Sequence, residues 1–182
     1  MRKLALATLA LAALALTGCV PQAGAPTPQP TPSATPVFAS EEDALRAAEA
    51  AYAEYQQVID ASLATYDTAR LSEVATGDAL KAAESSVESF KSKGQKLVGH
   101  SSTDSVRFAQ VGGLLGGDKN EPAQIYGCLD ISMTDVVDGS GSSVVPATRA
   151  TRLSMIISLV LSQSNTFLVS TAEVWDGDDF CK

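Results

Sequence analysis

The apolar positions of this chain change their spacing twice. Leu4 to Leu16 is a continuous run of Leu and Ala with one Thr, behind the basic Met1-Arg2-Lys3. From Ser40 the spacing becomes three and four: Leu45, Ala48, Tyr52, Tyr55 and Ile59 form one stripe of a long amphipathic helix ending near Thr65. Ser40 is placed to cap it, and Glu41, Glu42 and Asp43 suit the positive end of its dipole. A short helix is expected over Leu71 to Ala75. Gly77-Asp78 then opens a third, with Leu80, Ala83, Val87 and Phe90 on one face and Gly94 as its stop.

After Gly94 the period falls to two. Strands are expected over Lys96–His100, Ser105–Val111, Ala123–Val137, Arg149–Leu161 and Thr166–Trp175, with Gly-, Asp- and Ser-rich turns between them. Alternation is clearest in the fourth. Leu153, Met155, Ile157, Leu159 and Leu161 share one face; Arg152, Ser154 and Ser158 share the other, with Ile156 and Val160 between them. Helices first and a meander of strands afterwards predict an α+β domain over residues 40–182, with N-terminal helices packed on a curved antiparallel sheet of 4–5 strands.

The first apolar run is too short to span a bilayer, which takes about 20 residues, and fits the core of a signal peptide over 1–18. It leads into Leu16-Thr17-Gly18-Cys19. This resembles the lipobox of bacterial lipoproteins, whose small residues admit the peptidase and whose thiol carries the diacylglycerol. The resemblance implies that Cys19 is the lipidated first residue of the mature protein. Its two acyl chains would hold the protein stably on the outer face of the cytoplasmic membrane. Residues 20–39 hold six of the chain's eight prolines. Such a segment favours extended polyproline II, and reads, with Cys19, as a stalk of up to about 60 Å. Its Pro and Thr content also permits O-glycosylation.

Charge narrows the partners. The whole chain carries −8; without Arg2 and Lys3, 11 basic residues face 21 acidic ones, a net −10. An acidic domain repels phosphates, so nucleic acid and anionic lipid headgroups are poor partners, and membrane attachment falls to the anchor. Cys128 and Cys181 remain once Cys19 is lipidated. In an exported domain they read as one disulfide, two free thiols or a metal pair being the alternatives. His100 is the chain's single histidine and sits in a polar run with Ser101, Ser102 and Asp104, without a nucleophile elbow. It reads as a surface residue. No metal or cofactor motif is present, and the Gly112–Gly117 run lacks the Gly-Lys-Ser/Thr ending of a phosphate loop.

Asp130 is the carboxylate best placed for chemistry. Gln124, Tyr126, Cys128, Asp130 and Ser132 share a strand face, and a turn near Gly141 sets Asp130 opposite Arg152. A turn at Gln163-Ser164 brings Glu173 and Trp175 to the same face. These residues make either a polar pocket or a cross-strand ion cluster on the face away from the core. A slip of one residue dissolves the pocket, so the ion cluster is the expectation. Tyr52 and Tyr55 could line a cavity with their hydroxyls, but such residues more often pack with the oxygens at the rim.

The order of elements resembles the nuclear-transport-factor-like cone fold shared by ketosteroid isomerase and polyketide-cyclase-like proteins. The ending Glu173-Val174-Trp175-Asp176-Gly177-Asp178-Asp179-Phe180-Cys181, with Tyr126-Gly127-Cys128-Leu129-Asp130 upstream, is similar to uncharacterised lipoproteins of high-GC Gram-positive bacteria. The cone resemblance implies an enzyme with Asp130 as general base, acting as isomerase, dehydratase or hydrolase on a small apolar substrate. The residues themselves favour a non-enzymatic binding or accessory module. Its expected ligand is an apolar small molecule or a cell-envelope protein, held by the concave side of the sheet.

Overall fold

The structure, a computed structural model, describes residues 36–181 apart from 117 and 119. The signal peptide, Cys19 and the linker up to residue 35 lie outside the described residues. Three helices come first: α1 (Glu41–Thr65), α2 (Leu71–Val74) and α3 (Gly77–Lys93). Six strands follow: β1 (Lys96–Gly99), β2 (Ser102–Gln110), β3 (Ala123–Asp130), β4 (Thr134–Val137), β5 (Arg152–Leu161) and β6 (Phe167–Val174). The domain is α+β, as the change of period implies.

The Ser40 hydroxyl accepts from Asp43 N at 3.1 Å and caps α1. Gly94, at φ 63°, ends α3. The stripe that α1 buries is turned slightly from the expected one. Ala44, Ala48, Tyr52, Tyr55, Val58 and Ser62 face inward, while Leu45 and Ile59 lie half-buried on the flank. Small alanines let the helix approach the sheet closely, and the longer side chains wrap its edge.

Four strands form one antiparallel sheet in the order β2-β3-β5-β6; β1 and β4 form a separate two-stranded ribbon. The expected single strand over Ala123–Val137 is therefore two strands; the main sheet has four strands, within the 4–5 expected, and the β1–β4 ribbon is additional to it. The break has a local cause. Asp130 Oδ1 accepts from Ser132 N at 2.8 Å, and Ile131 O accepts from Thr134 N at 3.1 Å, closing a turn. Arg149 fills that turn, donating to Ile131 O at 3.0 Å and to Thr134 O. The turn redirects β4 onto β1, and it takes Arg149 out of the expected fourth strand, which begins at Arg152. Gly99 (φ 86°) is required here: a Cβ on it would lie 1.9 Å from Met133 O.

Helices and the four-stranded sheet share one core, in which Tyr52, Leu71, Ile125, Ile157, Leu159 and Val169 are fully buried. Met155, Ile157 and Leu159 belong to it, so the face expected to hold a ligand is filled by the helices. The opposite face is crossed by the C-terminal residues. Trp175 N donates to Ser154 O at 2.7 Å, and the Cys128–Cys181 disulfide, with a Cα separation of 5.4 Å, fastens the end to β3.

Candidate functional site

The pairing of β3 with β5 sets Asp130 opposite Arg152 and Cys128 opposite Ser154. Arg152 is the centre of an ion cluster on the outer face. Its guanidinium grips both carboxylate oxygens of Asp104, at 2.9 and 3.0 Å, and reaches Asp130 Oδ2 at 3.2 Å. Its Nε donates to Cys181 O at 3.1 Å. One side chain thus ties β2, β3, β5 and the C-terminal tail. Tail and sheet also meet at Ser154, whose hydroxyl donates to Asp179 at 3.0 Å and accepts from Phe180 N at 3.3 Å.

Both acids are held below the usual carboxylate range. For Asp104 the main cause is the hydrogen bond from Arg152, followed by that from Ser105. For Asp130 the hydrogen bonds from Ser132 come first and Arg152 after them. Asp130 is therefore an ionised, hydrogen-bonded carboxylate at the surface. A general base needs a value near the working pH, and the hydrogen bonds on Asp130 move it the other way.

Glu173 and Trp175 do not join this cluster. Glu173 pairs with Ile156 on the outer strand β6, is exposed, and borders a cleft of about 140 Å³ with Tyr55 and Asp78. The Trp175 ring packs edge-on against Tyr126 at 5.1 Å, and Phe180 meets the same ring at 5.5 Å. Arg107 lies over Tyr126 and Phe180 at 5.0 and 4.4 Å. Sequence reasoning missed Asp104 because it began β2 at Ser105, whereas the strand starts at Ser102; it missed Arg107 because a register irregularity between Asp104 and Arg107 breaks simple alternation.

Tyr52 and Tyr55 stack at 5.8 Å inside the core. The Tyr52 hydroxyl is buried with Gln56 beside it but outside good hydrogen-bond geometry; burial, then Tyr55, pushes its ionisation far above the usual range, and Gln56 acts the other way. Burial also raises Tyr55. Tyr52 lines none of the clefts described here, whereas Tyr55 reaches the smaller one. His100 is exposed between β1 and β2.

A larger groove, of about 350 Å³, lies between α1, α2 and the β5–β6 turn. Its apolar walls are Ala47, Ala50 and Ala51 of α1, and Phe38 and Phe167 stack at 5.4 Å beside them. Glu54 and Glu73 stand at its rim and share Arg70, each at 3.2 Å. This volume is at the low end of what binds small molecules or single side chains. The groove is open, lined mainly by apolar groups and edged by carboxylates, so it can hold an apolar group and orient a charge.

No family model matches the chain, and no curated protein matches it. Among solved structures the chain is similar to the crystal structure of the intermembrane space region of the chloroplast protein ARC6. The identity is 14 %, the TM-score is 0.53, and the match covers 71 % of this chain and 95 % of that one. At this identity the likeness shows the α+β fold alone.

Proposed function

We propose that the chain is the precursor of a lipoprotein whose domain, tethered through Cys19, acts outside the cytoplasmic membrane as a non-enzymatic binding or accessory module. The observation that carries this reading is the succession of Leu4–Leu16, Leu16-Thr17-Gly18-Cys19 and a proline-rich segment, leading into a folded domain. The Cys128–Cys181 disulfide supports it, because such bonds persist in oxidising compartments outside the cytoplasm. Among the described residues no helix is long and apolar enough to cross a membrane. The kinship to nuclear-transport-factor-like domains belongs to this proposal. The enzyme reading within that kinship draws no support from Asp130, which is half-buried and bound to Arg152.

The test is phase partition in detergent. The wild-type chain, expressed in a bacterium that lipidates proteins, is expected in the detergent phase. Cys19→Ala is expected to go unlipidated and to change its processing. A Cys19→Ala protein that partitions and migrates as wild type does would sink the anchor.

A further inference from the structure

The groove beside α1 has the chemistry of a docking site, and what it would accept can be read from its walls and rim. Ala47, Ala50 and Ala51 recur at the spacing of one helical turn and leave a shallow apolar strip. With a volume of about 350 Å³, the groove has room for an apolar side chain. The rim is acidic: Glu54 and Glu73 face a single Arg70, leaving one negative charge. All three side chains are more than half exposed, and exposed pairs of this kind exchange readily with other ions. The domain around them carries a net −10, which draws cations toward the rim.

Building on the proposed role as a tethered binding module, we propose that this groove takes a short segment of a partner protein in which an apolar side chain is flanked by Lys or Arg. The apolar side chain lies on the alanine strip beside the Phe38–Phe167 stack, and the cations meet Glu54 and Glu73. Two other occupants answer the rim less well. A second copy of the chain would bring a similarly acidic domain to it. Residues 20–35 of the chain's own linker contain no charged residue, so they have nothing to pair with the carboxylates.

The full chain, reconstituted into phosphatidylcholine vesicles, is titrated with three fluorescein-labelled peptides and followed by anisotropy, with empty vesicles as background. One peptide is Lys-Leu-Ala-Leu-Lys, the second Glu-Leu-Ala-Leu-Glu, the third the chain's own residues 24–35. The lysine peptide alone is expected to bind saturably and to weaken as salt rises. Glu54→Gln combined with Glu73→Gln is expected to weaken it about tenfold. Ala50→Arg, which puts a cation on the strip four residues before Glu54, is expected to abolish binding with an unchanged circular dichroism spectrum. Absence of lysine-peptide binding, or binding that both variants leave untouched, overturns the proposal. Preference for the 24–35 peptide also overturns it and assigns the groove to the linker. The two readings fail separately. An anchored chain that ignores the lysine peptide loses the groove alone, and an unanchored chain that binds it loses the tether alone.

Discussion

At the scale of single residues, Arg152 does more for this domain than any other charged side chain described. It bonds two carboxylates from two neighbouring strands and the carbonyl of the residue that closes the disulfide. Removing it leaves Asp104 and Asp130 ionised side by side. Both have their ionisation lowered in the folded state. A carboxyl group depressed on folding adds stability above its unfolded value, near 3.9, and that contribution is lost as pH falls through the folded value. Arg152→Gln is therefore expected to lower the thermal midpoint at pH 7, and the deficit is expected to shrink below about pH 4 as the acids protonate. Differential scanning fluorimetry across that range checks it. An equal deficit at pH 3 and pH 7 would mean that Arg152 acts by packing its stem and not by its charge.

At the scale of elements, the sequence reading was most informative where a single physical rule governs a segment. The spacing of three and four, a serine cap and a terminal glycine mark out α1 and α3, because local capping and burial decide those elements. The register of Asp130 on Arg152 followed from alternation and turn position. The break at Ile131–Met133 was not legible, since it depends on Arg149, which is remote in sequence and binds the carbonyls of that turn. Glu173 was assigned to the ion cluster for a related reason: alternation gives the face, but not which partner lies within reach. The groove could not have been foreseen, because Phe38, Ala50, Glu73 and Phe167 are brought together only by the packing of α1 and α2 on the sheet. The C-terminal tail is an element in its own right, held by its disulfide and by Ser154. Its closed loop spans 53 residues, which corresponds to about 4 kcal/mol in the chain-entropy account. Cys181→Ser is expected to lose roughly 2–4 kcal/mol in urea unfolding, and wild type treated with dithiothreitol should lose a similar amount. A variant as stable as the oxidised wild type would show that hydrogen bonds alone hold the tail.

At the scale of the whole molecule, the proposed function sets a folded domain behind an N-terminal segment that resembles an export and lipidation signal. The net charge of −10 leaves the domain little affinity of its own for anionic surfaces, so on the proposed reading attachment would rest on Cys19. The most direct measurement is the mass of the N-terminal tryptic peptide of the protein extracted from bacterial membranes. Trypsin cannot cut between Cys19 and Arg46, because no Lys or Arg lies between them. The account predicts a peptide running from Cys19 to Arg46 that carries a diacylglyceryl group on its cysteine. A mature chain that begins at any other residue, or a Cys19–Arg46 peptide with an unmodified thiol, would contradict it.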